Sequence, residues 1–451
     1  MVHTFKLHEL KLALDVESGA LHILDEPAFF AVKLLNQGFS AQQVQAELQE
    51  KFDDKTATET WAEIEDLKTK GLLFSPKRPL NLATDGAIKA LCLHLAHECN
   101  LRCKYCFADK GHYGGTRGLM PLETAYAAVD FLLQNSKDRR HCEIDFFGGE
   151  PLLNFSVMQK TIAYGRRKAA RLGKVLKFTV TTNAFDLSPD VIQYLNDEEI
   201  SVVLSLDGRQ EVHDAMRVKP DGSGSWQEVL QNCKTVVAGR NYNNYYLRGT
   251  YTRHNLDFTE DVKEMYRHGF KLLSLEPAVL APESEYALRV EDLPAILAEY
   301  EKLANQIWEW EEQGEQVYFF HFELDLHQGP CAKKRALGCG AGSSYLAVTP
   351  DGKLYPCHQF AGEDGFCVGD VFSGIKTDEI LQRFQTVDSV EKDACRDCFA
   401  RFFCGGGCHA AAWFQNGNLN IPYDYGCRLH RKRVECGLYI QAKRALAKMN
   451  R

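Results

Sequence analysis

The first 91 residues of this sequence contain no cysteine, although the chain of 451 residues has 16 of them. Ten of the 16 lie at or beyond Cys331. The chain also lacks the basic and apolar regions of a signal peptide at its N-terminus, so we expect a cytoplasmic protein, in which disulfides are rare. In a large chain of this kind, the uneven placing of the cysteines favours metal or cluster ligation.

Two further absences narrow the function. No apolar run is long enough to span a membrane, so no membrane partner is expected. The net charge is −8, which gives no general case for nucleic-acid binding. Hydrophobic residues make up 45% of the chain, enough for sizeable cores, and the length predicts two to four domains.

Three cysteines stand close together, Cys99, Cys103 and Cys106, in the spacing C-x3-C-x2-C. A [4Fe–4S] cluster normally takes four thiolates. Three thiolates leave one iron open, and an open metal position is how a metal site meets a substrate. A zinc knuckle or chance clustering is the alternative, but zinc prefers four ligands in paired C-x2-C units.

This spacing, with Tyr105 just before Cys106, resembles the signature of the radical SAM (S-adenosylmethionine) enzymes. The resemblance implies that the open iron chelates the amino and carboxylate groups of the methionine part of SAM. One electron from the cluster would then cleave SAM into methionine and a 5′-deoxyadenosyl radical. That radical abstracts hydrogen from an unactivated carbon.

Later motifs match the same family, each at the end of a predicted strand. The resemblance places Tyr105 beside the adenine and Ser205 at the ribose, and Asp207 is a polar group nearby. Arg248 would pair with the SAM carboxylate through its guanidinium fork. The ammonium group would be held by the carbonyls of a glycine pair, with a glutamate nearby: Gly148, Gly149 and Glu150. Asn183 ends a further strand and is followed by Ala184, where the family often has glycine.

Residues 1–75 are predicted to form a winged-helix-like module with a small sheet and three helices. The strand candidates are Thr4 to Leu14 and Leu21 to Leu24, and residues 72–74 are a candidate returning strand. The helical stretches are about 26–35, 40–51 and 56–70. Turn formers predict a linker over 76–86.

Alternating strands and helices occupy residues 87–290. Repeated βα units imply a parallel sheet with right-handed crossovers, so we predict an α/β fold with a partial (β/α)6 barrel. Active sites of such barrels lie at the C-terminal strand ends, and the first three cysteines follow the first strand. An acidic bridging helix is predicted over 291–317, followed by a cysteine-rich region over 318–451. We expect the acidic helix face to be solvated and the basic tail from Arg428 to be a solvated helix on the cluster domain.

The cysteine-rich region resembles the seven-cysteine SPASM motif, which implies two auxiliary [4Fe–4S] clusters and three clusters in all. In that family the second auxiliary cluster would take Cys395, Cys398, Cys404 and Cys427. Cys408 would cross to the first auxiliary cluster and join Cys339 and Cys357. Cys331 is the candidate fourth ligand there; without it, a substrate thiolate could bind the open iron. His358 is a candidate base, although a structural histidine is the simpler interpretation.

The N-terminal module, with the runs 3–7, 14–20 and 355–360, resembles the thioether-forming radical SAM/SPASM maturases of ranthipeptides, which act on precursors with six cysteines in forty-five residues. The resemblance implies a precursor peptide whose leader adds as a strand to the module. It also implies an electron donor such as flavodoxin or ferredoxin. The alternatives are sulfatase formylglycine maturation, carbon–carbon crosslinking, and a zinc-stabilised peptide-binding adaptor.

Overall fold

The computed structural model describes residues 1–77, 86–115, 117–324, 326, 338–376, 378–385 and 392–449. Cys331 and most of the predicted linker lie outside these ranges, so both stay predictions. Within the described residues, no helix combines the length and the apolar character needed to cross a membrane.

The N-terminal module is a three-stranded antiparallel sheet followed by three helices. The strands lie in the order β1 (Val2–Leu7), β2 (Leu10–Asp15) and β3 (Leu21–Leu24). The helices are α1 (Glu26–Asn36), α2 (Ala41–Lys51) and α3 (Asp54–Thr69). Their first turns are capped by the side chains of Asp25, Ser40 and Asp53, which accept backbone hydrogen bonds. The expected strand at 72–74 is wrong: these residues bend, and Phe74 has φ +54°.

Six parallel strands form the barrel, each hydrogen-bonded to the next: β4 (Ala90–Ala96), β5 (His141–Gly148), β6 (Val175–Thr182), β7 (Ser201–Ser205), β8 (Tyr245–Tyr251) and β9 (Leu272–Pro277). The helices between them are α4 (Leu122–Asn135), α5 (Phe155–Arg171), α6 (Pro189–Asp197), α7 (Gln210–Met216), α8 (Trp226–Ala238) and α9 (Phe258–Arg267). The predicted α/β partial barrel, preceded by a small β domain, is confirmed.

The two faces of β4 show how the barrel separates its core from its interior. Leu91, Leu93 and Leu95 are buried in the main hydrophobic core with residues of the surrounding helices. Cys92, between them, packs instead in a second cluster with Tyr113 and Cys357. Because strand side chains alternate, this second face is where residues of the barrel and of the cysteine-rich region meet.

The cysteine-rich region extends the barrel sheet at both edges. On one side β10 (Tyr318–Phe319) pairs in parallel with β9. On the other, β11 (Tyr345–Val348) pairs in parallel with β4, followed by antiparallel β12 (Lys353–Tyr355), β13 (Gly369–Asp370) and β14 (Gly374–Ile375). The sheet therefore runs across the predicted boundary at residue 318 and holds Cys357 beside the barrel.

The remaining α-helices of the described residues are α10 (Leu293–Glu312), α11 (Asp378–Gln385), α12 (Asp393–Arg396), α13 (Arg401–Cys404), α14 (His409–Asn416) and α15 (Asp424–Met449). α15 lies along α10 and beneath the N-terminal sheet, and Tyr439 is fully buried there. Its basic residues meet the acidic helix: Lys432 pairs with Glu301 and Arg444 with Glu311, both at 2.6 Å. The expectation of two solvated helix faces is therefore wrong for these four charges, which pair with each other, whereas Glu309, Glu312 and Arg428 are exposed as expected.

Candidate active site and cluster sites

Cys99, Cys103 and Cys106, the first cysteine group, lie in the loop that follows β4. Burial raises the pKa of the Cys99 thiol to about 11 and that of Cys103 to about 12. Cys99 and Cys106 lie close enough to Cys103 to raise its pKa further. Three thiols close enough to affect one another are the arrangement that one shared cluster requires, and binding iron would displace their protons. Its role as ligand stays a prediction.

Asn183, at the end of β6, is brought to the first cysteine group. Its Nδ2 lies 3.6 Å from Cys99 Sγ and donates to Asn100 Oδ1 at 2.8 Å. The backbone N–H of Leu101 also points at Cys99 Sγ, at 3.4 Å. N–H donors to a ligating sulfur tune a cluster. Ala184, the next residue, has φ +57°, which explains why glycine would suit this position.

The glycine pair lets the loop after β5 approach the chain that leads to Cys99. A Cβ at Gly148 would lie 2.3 Å from the Ala96 carbonyl oxygen, and one at Gly149 would lie 2.2 Å from that of Glu98. The Gly149 N–H donates to the Ala96 carbonyl at 2.8 Å. The sequence predicts that the carbonyls of Gly148 and Gly149 both hold the SAM ammonium group. In the structure, the Gly148 carbonyl accepts a hydrogen bond from the Tyr113 hydroxyl at 3.1 Å.

Glu150 is buried and connects this loop to β6. Its carboxylate accepts from the Thr182 hydroxyl and the Asn183 N–H, both at 2.8 Å, and from the Leu152 N–H at 3.1 Å. Burial raises the pKa of Glu150 to about 7, against the opposing effect of these donors. Its negative charge also raises the pKa of Cys99, so Glu150 lies beside the first cysteine group, where the predicted ammonium contact requires it.

Tyr105 and Asp207 meet in a buried charged group. The Tyr105 hydroxyl donates to Asp207 Oδ2 at 2.5 Å, and Arg217 Nε donates to the same oxygen at 3.0 Å. Asp207 Oδ1 accepts from the Thr250 N–H at 2.9 Å. Asp207 therefore fixes Tyr105 against the barrel. Sequence reasoning missed Arg217, since nothing in its local pattern marks it.

Arg248, the predicted partner of the SAM carboxylate, is half-exposed in the middle of β8, not at a strand end as expected, and faces Ser205 at the end of β7. Its Nη2 lies 3.3 Å from Glu276 Oε1. Glu276 in turn receives Arg433 Nη1 at 3.1 Å, from α15. Burial would raise the pKa of Glu276, but His321, Arg433 and Arg248 lower it to about 2. Sequence reasoning missed Glu276, although a charge at the end of an apolar strand is a usable signal.

His358 follows Cys357 and packs between two aromatic rings of the barrel. Its ring centroid lies 5.1 Å from that of Phe147, beside Gly148, and 5.7 Å from that of Phe107, beside Cys106. Its Nδ1 lies 3.5 Å from the Tyr345 hydroxyl. Burial lowers the pKa of His358 to about 4, so its imidazole is neutral at pH 7. One layer of rings thus separates Cys357 from the SAM motifs.

Cys339, Cys357 and Cys408 form the first auxiliary site. Burial raises the pKa of Cys357 to about 12, and the neighbouring thiols of Cys408 and Cys339 raise it further. Cys408 caps α14, its Sγ accepting from the Ala411 N–H at 3.5 Å. The structure thus brings Cys408 to the two distant cysteines, as the crossing in the sequence motif requires. Cluster ligation by these residues stays a prediction.

Four cysteines line a single cavity of about 360 Å³, the second auxiliary site: Cys395, Cys398, Cys404 and Cys427. Arg401 and Arg431 also line it. A water molecule takes about 30 Å³ of liquid, so this cavity has room for a polynuclear cluster rather than one ion. The donor set, four thiols around one space, fits a [4Fe–4S] cluster.

Comparison with known proteins agrees with this geometry. The radical SAM superfamily matches residues 94–267, and the SPASM iron–sulfur cluster-binding domain matches residues 339–399. A cysteine-type anaerobic sulfatase-maturating enzyme of Clostridium novyi is 24% identical over 72% of this chain and 87% of its own length.

Two solved proteins share the fold. The protein anSMEcpe with bound AdoMet superposes with a TM-score of 0.67 at 20% identity, over 79% of this chain and 99% of its own. Streptococcus suis SuiB bound to S-adenosylmethionine superposes with a TM-score of 0.54 at 15% identity, over 94% of this chain and 98% of its own. SuiB has also been solved with its precursor peptide SuiA.

Proposed function

We propose that this chain, a radical SAM/SPASM enzyme, forms thioether crosslinks between cysteine sulfur and carbon in a ribosomally made cysteine-rich peptide. The observation that carries the proposal is the closeness of the first auxiliary site to the SAM motifs. Tyr113 hydrogen-bonds the Gly148 carbonyl and lies near enough to Cys106 and Cys357 for both thiols to affect its pKa, which burial raises. A peptide carbon at SAM and a peptide sulfur at Cys357 would thus lie near each other.

The barrel motifs and the cysteines fit the expected cofactors. When bound, SAM supplies a 5′-deoxyadenosyl radical, after one electron from a reductant such as flavodoxin or ferredoxin. Arg248 and Glu150 would hold the carboxylate and ammonium of SAM, and Tyr105 the adenine. A thioether forms when the carbon loses a hydrogen atom and the thiol loses a proton and an electron. His358 is the candidate acceptor of that proton, and the auxiliary clusters would take the electron.

The N-terminal sheet offers the site for the precursor's leader. β3 is an edge strand, and an extended peptide can add to such an edge through backbone hydrogen bonds. Ile23 on β3 is 37% exposed. Leu72, whose carbonyl lies 2.8 Å from His22 Nε2, is exposed beside it. The solved SuiB–SuiA pair supports peptide binding by a protein of this fold.

The test is anaerobic turnover of a synthetic peptide copied from a small cysteine-rich reading frame, if one is found beside the gene. We expect each crosslink to remove two hydrogens and to protect one thiol from alkylation, as read by mass spectrometry. A product with two hydrogens fewer but every thiol alkylatable would contain carbon–carbon bonds and would overturn the thioether proposal.

The leader site is tested by Ile23→Lys, because a lysine on an edge strand opposes strand addition. We expect KM for the precursor to rise about tenfold or more while 5′-deoxyadenosine formation without peptide is unchanged. The matched control is Val290→Lys, an equally simple change at an exposed valine ahead of α10. Equal KM values in the two variants would place the leader elsewhere.

A second function, formylglycine formation, is favoured by the similarity to the sulfatase-maturating enzyme. Formylglycine formation requires no leader peptide, so this second function would not account for the N-terminal module. A sulfatase peptide carrying the target cysteine is the direct probe. An aldehyde that reacts with a hydrazine would establish this second function, and an unchanged peptide would remove it.

A further inference from the structure

The turn between β2 and β3 is shaped by the buried carboxylate of Asp15. Its Oδ1 accepts from the backbone N–H and the hydroxyl of Ser18, both at 2.9 Å. Its Oδ2 accepts from the backbone N–H of Ser75 at 2.9 Å, which ties the turn to the end of the module. Glu17 projects from this fixed turn and belongs to the run 14–20, which carries part of the resemblance to the thioether-forming maturases.

Glu17 pairs with Arg401, a residue of the cysteine-rich region. Both side chains are almost completely buried, at 1% and 7% exposure. Arg401 also donates to the Arg396 carbonyl and lines the cavity of the second auxiliary site. A buried ion pair offsets its loss of hydration only when both partners are held in place. The pair therefore fastens the N-terminal sheet to the cysteine loop.

A ring contact joins the same two parts of the molecule. The imidazole of His3, on β1, stacks on Phe399 with centroids 3.5 Å apart and planes 2° from parallel. Phe399 directly follows Cys398. The sheet thus holds the loop 395–404 at two points, one on each side of Ala400.

Arg401 also acts on the cysteines electrostatically. Arg401 lines the cavity that the four thiols share, so its positive charge lies beside them. Positive charge near an iron–sulfur cluster favours its reduced form, since reduction adds an electron. Glu17 carries the opposite charge, so it sets how much of the charge of Arg401 reaches the site.

We propose that Arg401 is a positioning residue of the second auxiliary site, and that Glu17 from the N-terminal sheet fixes its guanidinium beside the four thiols. The sheet and the cluster site then form one coupled unit, in which each stabilises the other. The coupling does not depend on which bond the enzyme forms. The addition of a leader at β3 rests on the proposed function. β3 begins at Leu21, four residues beyond Glu17, so a leader bound there would lie close to this ion pair in the sequence.

The test is a charge cycle in the full-length holoprotein, with Cys99, Cys103 and Cys106 changed to alanine so that only auxiliary clusters are observed. Redox titration followed by EPR gives their midpoint potentials. We expect Glu17→Gln to raise the potential of one auxiliary cluster, because the charge of Arg401 becomes uncompensated. Arg401→Gln should lower it, and the double variant should lie between. Glu26→Gln is the control, a half-exposed glutamate of the same module paired with Lys11 at 2.9 Å.

The proposal would be overturned if Glu17→Gln and Arg401→Gln shifted the midpoint potential in the same direction. It would also be overturned if neither variant shifted the potential while both carried their full iron content. Should Glu17→Gln load about four irons fewer per chain than Glu26→Gln, with an unchanged circular dichroism spectrum, the sheet is needed for the second site and the proposal is supported.

Hydrogen exchange gives a reciprocal test that needs no peptide. In the variant Cys395→Ala, Cys398→Ala we expect faster exchange in the turn 15–20 than in the holoprotein, with α2 unchanged as the internal control. Equal exchange in the turn would show that the cluster site does not stabilise the sheet, and would overturn the coupling.

Discussion

The first cysteine group and the second auxiliary site use the same side chain in two different settings. The first has three thiols among polar groups at the strand ends, including Asn183 and Glu150. The second has four thiols around one cavity, carried by short helices and loops. A site with three protein ligands leaves a position for a substrate, whereas four ligands close it. Under the proposed function, the first site would start the chemistry and the second would carry electrons.

Removing single thiols should separate the two sites most strongly. Cys103→Ala is expected to abolish 5′-deoxyadenosine formation and to lower the iron content by about four atoms per chain. Cys398→Ala is expected to lose about the same iron but still to cleave SAM. Cys233→Ala, a buried cysteine of α8 without a predicted ligand role, is the control and should retain both. The measurements are iron analysis and chromatography of the nucleoside. If the Cys398→Ala protein could not cleave SAM, SAM cleavage would depend on both sites and the expected difference between them would be wrong.

Glycine substitutions should show that the first site is the more tightly fitted. At Gly149 a Cβ would lie 2.2 Å from a backbone oxygen that has no room to move, so Gly149→Ala should displace the loop before Cys99. We expect SAM cleavage to fall about a hundredfold or more, which corresponds to roughly 3 kcal/mol.

Gly407→Ala is the comparison at the second site. It has φ +81° but no atom closer than 4.0 Å to the added Cβ, so only backbone strain of about 1–2 kcal/mol is expected. SAM cleavage should therefore persist in this variant. Similar losses in the two variants would show that steric fit does not distinguish the sites.

Glu276, near the end of barrel strand β9, pairs with Arg433 from the C-terminal helix α15. Arg433→Met removes the guanidinium that donates twice to Glu276. The Glu276 side chain is 27% exposed and keeps Arg248 and His321 nearby, so we expect a loss of about 1.5–3 kcal/mol in the free energy of unfolding. Arg428→Met, on the same helix, breaks an exposed pair with Asp424 and should cost about 0–1 kcal/mol. Anaerobic denaturant unfolding measures both. A small loss for Arg433→Met would show that α15 does not brace the first site.

The smallest expected effect is the pH dependence of SAM binding at the first site. Burial raises the pKa of Glu150 from its ordinary value of 4.5 to about 7, so ionisation occurs near neutral pH. The SAM ammonium prefers the ionised carboxylate, so affinity should rise between about pH 6 and 8, by at most about tenfold per unit.

Glu150→Gln should flatten that profile, as measured by equilibrium dialysis; a profile that persists would assign it to another group. The same raised pKa has an opposite consequence for the free protein. Its contribution to stability is complete below about 4.5 and is lost as the pH rises through about 7.

Local patterns predicted a partial (β/α)6 barrel over residues 87–290, and its six strands lie within that range, because apolar periodicity and turn formers are properties of short segments. They also placed Gly148, Gly149 and Asn183 at strand ends, beside the first cysteine group. The expected strand at 72–74 and the expected solvation of the paired helix charges failed for one reason: each depends on what packs against the segment. The acidic and basic helices, far apart in sequence, pair with each other.

The sequence alone determined which residues supply thiols and which strands carry the predicted SAM motifs. The spacing of cysteines and the periodicity of apolar residues are properties of short segments. Only the tertiary structure decided how these parts meet. It brought Cys408 to Cys339 and Cys357, set Arg433 against Glu276, and buried Glu17 against Arg401. Charged contacts of this kind form between distant segments after both have packed, and their cost of desolvation is recovered only in that final geometry.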